Sequence, residues 1–122
     1  MTDLALAIAT KGGWDPGQLL HDLRSAGADA STEIHIACDP EHAPATAPDG
    51  LTVHTKANAS LFELWGLASA VSRSDWVAVL HADALPASGW VPAMHEAITR
   101  NPRSDGYMGP VEPRFGPSDP SA

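Results

Sequence analysis

Residues 74–94 read SDWVAVLHADALPASGWVPAM, and this stretch decides the fold. The five consecutive apolar residues 76–80 predict a strand, and apolarity at every position predicts burial on both faces, as in the centre of a parallel sheet. The strand is expected to end at His81-Ala82-Asp83, and Ser88 is placed to cap a following helix. The predicted inner face of that helix consists of Trp90, Val91, Met94 and Ile98.

The segments before this stretch show the same alternation of strand and helix. Residues 4–9 are apolar and predict a buried strand. Asp15 before Pro16 predicts the start of a helix, with Gln18 at the capping-box position, and Gly27 predicts its end. Residues 33–38 then predict a second strand.

A loop and a second strand–helix pair lie between residues 40 and 72. Residues 40–50 are rich in proline and predict a loop, and residues 51–55 predict a third, weaker strand. Residues 60–72 predict a helix that Asn58 or Ser60 caps. Its apolar stripe consists of Leu61, Leu64, Trp65, Ala68 and Val71.

The predicted order is β-α-β-loop-β-α-β-α-β, with residues 106–111 as a last short strand. Such alternation is typical of an α/β fold in which right-handed crossovers place helices on both faces of a mostly parallel sheet, a three-layer, Rossmann-like arrangement. Residues 1–111 are predicted to form one domain, and residues 112–122 a Pro-rich, flexible tail.

Composition narrows the possible partners and location. The net charge of −8 argues against a nucleic-acid-binding surface, which needs a basic face. No apolar stretch approaches the roughly 20 residues of a membrane span. The N-terminus lacks a basic signal-peptide region, so a cytoplasmic location is expected. The single cysteine, Cys38, ends an apolar run and is expected to be buried and inert.

Polar residues follow every predicted strand. Since parallel strands end at the same edge of a sheet, and ligands bind beyond that edge, these residues form the candidate site. Lysines can bind phosphate, an aspartate can bind a base or ribose, and a His/Asp pair can bind a metal ion. The alternative interpretation is that they are ordinary polar loop residues. The candidates are Thr10, Lys11, Asp39, Lys56, Asn58, His81 and Asp83.

The stretch 74–94 resembles the N-terminal, nucleotide-binding half of a family-2 glycosyltransferase with the GT-A fold. In that family an apolar strand runs into an Asp-x-Asp motif, then a proline and a Gly-Trp-aliphatic helix start. Here the motif reads His81-Ala82-Asp83, followed by Pro86 and Gly89-Trp90-Val91. The order and spacing of elements are similar over roughly residues 4–111.

The resemblance implies roles for the first three strand ends. Thr10 and Lys11 would lie near the base and ribose of a nucleoside-diphosphate sugar. Asp39 would accept a hydrogen bond from a pyrimidine N–H. Lys56 and Asn58 would approach the nucleotide.

The resemblance also implies a metal at the fourth strand end. Asp83 takes the position of the last Asp of the motif, which holds Mn²⁺ or Mg²⁺ against the diphosphate. His81 replaces the first Asp, so it would bond a ribose hydroxyl or ligate Mn²⁺ without adding negative charge. The chain stops where the family builds its acceptor site, and no catalytic base is assigned, since Glu112 lies in Pro-rich surroundings.

Three functions follow from these features. The first is a glycosyltransferase-like enzyme, or its donor-binding part. The second is a non-catalytic module that binds a nucleotide or nucleotide sugar. The third is an interaction domain without a small ligand. A homodimer, or a partner chain that completes the site, is compatible with all three.

Other aromatic and polar residues are weaker candidates. Trp14 lies in a Gly-rich loop and is the one tryptophan that is a candidate for stacking on a base or sugar. His35 and His54 alternate with apolar residues in predicted strands and are expected to be satisfied core or surface groups. Gly12-Gly13 matches neither a dinucleotide fingerprint nor a P-loop.

Overall fold

The computed structural model describes residues 4–74, 76–83 and 88–100. The predicted strand at 106–111 and the predicted tail at 112–122 lie outside these residues. The elements in chain order are β1 (Leu4–Ala9), α1 (Pro16–Ser25), β2 (Glu33–Cys38), a short 3₁₀ helix (Pro40–His42), β3 (Thr52–Thr55), α2 (Leu61–Ala70), β4 (Trp76–His81) and α3 (Trp90–Arg100).

The four strands form one parallel sheet in the order β3-β2-β1-β4, which confirms the predicted α/β class. The chain moves from β1 outward to β2 and β3, and then returns through α2 to the other side of β1. This order is that of half a Rossmann-like sheet. The direction of winding reverses between β1 and β4, so this pair of strands is the topological switch point.

Within the described residues β4 does not occupy the central place that its apolar run predicts. In the described sheet β4 lies at an edge, and Val79 is 52% exposed. The interior strand with complete burial is β1, whose six residues are all buried. A run of consecutive apolar residues does not show whether a strand pairs on one side or on two.

Alternate residues of β1 belong to two different hydrophobic clusters, as the two-residue repeat of a strand requires. Leu4, Leu6 and Ile8 pack in a cluster with residues of α1 and α3, and Ala7 and Ala9 pack in a cluster with residues of α2. The helix residues of the two clusters include Leu19, Leu20, Leu23, Val91 and Ile98 in the first, and Leu64 and Ala68 in the second. The stripe predicted for α3 is thereby confirmed, as is that of α2 except for Val71, which follows the helix and is 39% exposed.

Side-chain caps fix where α1 and α2 begin. The Asp15 carboxylate accepts hydrogen bonds from the N–H groups of Gly17 (2.9 Å) and Gln18 (3.4 Å). Gln18 does not complete a capping box, because its side-chain amide donates to Asp22 Oδ1 instead (2.9 Å). Ser60, rather than Asn58, caps α2 and forms a capping box with Glu63.

The end of α1 packs against the first turn of α3. Gly27 adopts a φ of 106°, and an added Cβ atom there would lie 2.3 Å from Pro92 Cδ. The Val91 N–H donates to the Ala26 carbonyl oxygen (3.0 Å). Gly27 therefore ends α1, as predicted, and also makes room for α3. Among the helices described, none has the length and apolar character needed to cross a membrane.

Candidate functional site

Backbone hydrogen bonds continue past the strand ends and hold the following segments at one edge of the sheet, called here the carboxyl edge. The Ala82 N–H donates to the Ala9 carbonyl oxygen, and the Thr10 N–H donates to the Ala37 carbonyl oxygen, each at 3.2 Å. The Lys56 N–H donates to the Cys38 carbonyl oxygen, also at 3.2 Å. All four strand ends that carry candidate residues therefore open onto this edge.

Lys11 joins three of the segments at the carboxyl edge. Its ammonium nitrogen, Nζ, lies 3.4 Å from Asp39 Oδ2, beyond the end of β2. The same ammonium group donates to the carbonyl oxygen of Ala59, just before α2. The predicted neighbours Lys11 and Asp39 are thus brought together, although each already has a partner within the chain.

Thr10 and Lys56 are occupied in contacts within the chain. Thr10 is 1% exposed, and its hydroxyl accepts from the Gly12 N–H (3.2 Å) and donates to the Gly12 carbonyl oxygen (3.4 Å). Lys56 Nζ lies 3.1 Å from Glu63 Oε2. Hydrogen bonding from the Ser60 N–H, together with Lys56, lowers the pKa of Glu63 below its ordinary value. Asn58 is exposed and adopts a left-handed φ of 58°.

His81 and Asp83 form a tight turn after β4. The Asp83 N–H donates to His81 Nδ1 at 3.0 Å, and Asp83 Oδ2 lies 3.8 Å from the same nitrogen. Because Nδ1 uses its lone pair in this bond, the neutral ring carries its hydrogen on Nε2. In this tautomer His81 can donate to a hydroxyl or phosphate oxygen, but it offers no lone pair to a metal. Asp83, with its side chain 83% exposed, is free to reach a ligand or metal ion.

A cavity of about 100 Å³ lies between the segments that follow β1 and β4. It coincides with the switch point between these two strands, where open α/β sheets bind ligands. Residues of the loop after β1, of α1 and of the β4 turn line it: Gly13, Trp14, Asp15, Gln18, Leu19, Asp22, Ala82 and Asp83. Three of these residues carry carboxylates and none carries a positive charge.

Trp14 contributes one wall of this cavity but is anchored in the core. It packs against the cluster that contains α1 and α3. Its indole N–H is enclosed and has the thiol of Cys38, a weak acceptor, as its neighbour. Burial raises the pKa of that thiol, and the contact with Trp14 opposes the rise. Cys38 is a buried free thiol, as predicted.

A polar cluster at the opposite edge of the sheet was not predicted. Glu33 accepts hydrogen bonds from the Ser74 hydroxyl (2.8 Å), from the Arg73 N–H (3.0 Å) and from His35 Nε2 (2.7 Å). His35 Nδ1 in turn lies 3.0 Å from His54 Nε2, so the prediction that these histidines are satisfied is confirmed. The available signal was a pair of polar residues at alternate positions, 33 and 35, of an apolar strand.

A second cavity of about 320 Å³ lies beside this cluster, lined by Ala30, Ser31, Thr32, Glu33, Arg73 and Ser74. Four of the polar side chains that line it, those of Ser31, Thr32, Glu33 and Ser74, already have partners within the chain. The Ser31 and Thr32 hydroxyls bond Asp29, and the Ser74 hydroxyl bonds Glu33. This cavity is larger than the one at the switch point, but its polar groups stabilise the loop before β2 and leave less for a ligand.

Metal binding at the carboxyl edge would depend on few protein groups. Within residues 4–74, 76–83 and 88–100, no three His, Cys, Asp or Glu side chains are grouped so as to hold a metal ion. Asp83 fits the role of a single carboxylate ligand, with the other positions left to phosphate oxygens and water, as Mg²⁺ prefers.

Comparison of the sequence with known protein families and with curated proteins finds no match.

Proposed function

We propose that the chain is a three-layer, GT-A-like domain that binds a nucleoside-diphosphate sugar at the carboxyl edge. The observation that supports this most is the cavity between the segments after β1 and β4, at the point where the winding of the sheet reverses. The Lys11–Asp39 pair lies at the same edge, beyond β1 and β2. The ligand would extend from this pair, at the nucleoside, to the β4 turn, at the diphosphate.

The charges around the cavity support a divalent cation as part of the ligand. Asp15, Asp22 and Asp83 line it, so a bare diphosphate would meet net repulsion. The N-terminus of α1 does not relieve this, because the Asp15 carboxylate already accepts from the free N–H groups there. A Mn²⁺ or Mg²⁺ ion held by Asp83 would neutralise the diphosphate, and His81 Nε2–H would donate to one of its oxygens.

Transfer of the sugar to an acceptor is the reaction that the GT-A resemblance implies. A specific observation favours the alternative of a non-catalytic binding module. His81 stands where the family has an acidic residue, and its Nδ1 is bonded to the Asp83 N–H. A cation at this site would therefore be held by one carboxylate of the motif instead of two. This favours a binding module over an enzyme.

Calorimetry with UDP- and GDP-sugars, with and without Mn²⁺, tests the proposal. We expect Mn²⁺-dependent binding that Asp83→Asn weakens at least about tenfold, the loss of one charge-assisted contact. Asp49→Asn is the matched control, because Asp49 is an exposed carboxylate in the loop before β3. Failure of every nucleotide to bind would contradict the proposal. Release of free sugar from a bound donor would then separate an enzyme from a binding module.

A further inference from the structure

Two histidine rings on neighbouring strands contact each other through one hydrogen bond. His35 Nδ1, on β2, lies 3.0 Å from His54 Nε2, on β3, and the ring centroids are 5.1 Å apart. The other nitrogen of the first ring, His35 Nε2, lies 2.7 Å from Glu33 Oε1. His35 is buried and His54 is half-buried. These bonds therefore form a chain that joins Glu33 to the outer strand β3 of the described sheet.

The partners fix where the hydrogens lie when both rings are neutral. Glu33 accepts from the Ser74 hydroxyl and the Arg73 N–H, and an ionised carboxylate can only accept. His35 must therefore carry its hydrogen on Nε2, which leaves its Nδ1 as an acceptor. His54 must then donate from Nε2, and its Nδ1 takes no part in this chain of bonds.

The pair can take up one proton without losing a hydrogen bond. The proton adds at His54 Nδ1, and the hydrogen of His54 Nε2 crosses the 3.0 Å bond to His35 Nδ1. His35 is then the cation, beside the Glu33 carboxylate, and it donates to the neutral His54 ring. A second proton breaks this bond, because both facing nitrogens would then be donors on cationic rings that repel each other.

The described elements packed around the pair offer little charge that could offset two cationic rings. β1 has no titratable residue, β3 has none other than His54, and the one acidic residue of α2, Glu63, is paired with Lys56 at 3.1 Å. Arg73, whose N–H bonds Glu33, carries a positive charge of its own. Among the described residues Glu33 is thus the one carboxylate bonded to the pair, and it can balance one cation but not two.

The strand that a second proton would loosen is β3. It has four residues, none of them buried, and in the described sheet it pairs with β2 alone. β2 has five buried residues and a neighbour on each side. The Lys56 N–H, which bonds the Cys38 carbonyl oxygen, comes directly after β3, so loosening of β3 would reach the carboxyl edge.

We propose that the His35–His54 pair is an acid-sensitive latch, which holds β3 against β2 while it carries at most one added proton and releases β3 when both rings are cationic. The release is a local opening of the element with the fewest buried groups. The rest of the sheet stays folded, because β1, β2 and the helices are held by the two hydrophobic clusters. The latch is independent of the proposed ligand, since only groups of the chain take part in it.

Hydrogen exchange of single amides, followed by NMR on the full chain between about pH 8 and 5, tests the latch. The Lys56 N–H points to β2, and the N–H at position 54 points the same way by the two-residue repeat of a strand. The open form binds one proton more than the closed form. Protection at these two positions should therefore fall by up to about tenfold per pH unit below about 6.5, the ordinary pKa of a histidine.

Two amides elsewhere in the sheet and two variants separate the latch from general unfolding. The Thr10 and Ala82 amides, which bond Ala37 and Ala9, should keep their protection over the same range. In His54→Gln the amide side chain offers His35 both a donor and an acceptor but does not titrate, so protection at positions 54 and 56 should no longer fall. His21→Gln, on the exposed face of α1, is the matched control and should behave like the unmodified chain.

Nitrogen-15 spectra of the rings at about pH 8 give a second readout, in which both neutral rings should carry their hydrogen on Nε2. A neutral His35 with its hydrogen on Nδ1 would overturn the proposal. Protection at positions 54 and 56 that does not change with pH, or that falls together with that of Thr10 and Ala82, would overturn it as well. An unchanged fall in His54→Gln would show that another group releases β3.

Discussion

The Lys11 ammonium nitrogen lies 3.4 Å from Asp39 Oδ2, so an ion pair joins the segments that follow β1 and β2. The two residues are 28 positions apart in sequence, and they meet because their strands are parallel neighbours. The same lysine donates to the Ala59 carbonyl oxygen. Lys11 therefore links both strand ends to the start of α2, at the edge where we propose that the ligand binds.

The Lys11–Asp39 pair should contribute little to stability. About half of the Lys11 side chain is exposed, and exposed ion pairs are worth about 0.2–1 kcal/mol. A double-mutant cycle of Lys11→Met and Asp39→Asn in urea unfolding should give a coupling energy within that range. Lys11→Met alone should cost more than Asp39→Asn, because it also removes the bond to Ala59. A much larger coupling would mean that the pair is a structural element and not a ligand-facing one.

Stability should fall as the pH falls below neutral. Burial, and then the charge of His35, lowers the pKa of His54 below its ordinary value of 6.5. The unfolded chain therefore takes up this proton first, and the free energy of unfolding declines as the pH drops from 6.5 toward the folded pKa. Urea unfolding across this range measures the decline.

His54→Gln should flatten this pH dependence, whereas His21→Gln, on the exposed face of α1, should leave it unchanged. Protonation of Glu33 lowers the free energy of unfolding further in stronger acid. Burial raises its pKa, but hydrogen bonds from His35, Ser74 and the Arg73 N–H outweigh burial and leave the pKa below the ordinary 4.5. If the free energy of unfolding falls with the same slope between pH 6.5 and 5 in the unmodified chain, His54→Gln and His21→Gln, His54 is not the titrating group.

Gly27→Ala should destabilise the protein by about 2 kcal/mol or more. The substitution forces a side chain into a left-handed conformation and places its Cβ against Pro92 in the first turn of α3. Gly66→Ala is the matched control, because Gly66 lies within α2 and an added Cβ there meets nothing within 4 Å. The control should raise the free energy of unfolding by up to about 1 kcal/mol. Equal effects would mean that α3 does not pack against Gly27.

The helices and strands could be predicted because their apolar periodicity is local. The stripe on α2, the cap at Asp15 and the stop at Gly27 each depend on residues a few positions apart. The place of β4 in the described sheet could not be predicted in this way, because an apolar run does not show whether a strand has a neighbour on one side or on two. β1, with alternating alanines, gives a weaker apolar signal than β4 and is nevertheless an interior strand, beside β2.

The candidate site could be predicted as an edge but not as a set of contacts. Parallel pairing brings residues 11 and 39 together, which the order of elements implies. The bonds that occupy Thr10 and Lys56 depend on side-chain rotamers and on Glu63, seven positions beyond Lys56. The Glu33 cluster depends on Ser74, which is 41 positions away, and no local pattern connects the two.

A nitrogen-15 NMR titration with UDP- and GDP-sugars in the presence of Mg²⁺ tests the central claim most directly. If the ligand binds at the carboxyl edge, the amide signals of Gly12, Gly13, Ala82 and Asp83 should shift most. Those of Ser31 and Ser74, at the opposite edge, should stay in place. Shifts confined to Ser31 and Ser74, or no shift with any nucleotide sugar, would contradict a donor site at the switch point between β1 and β4.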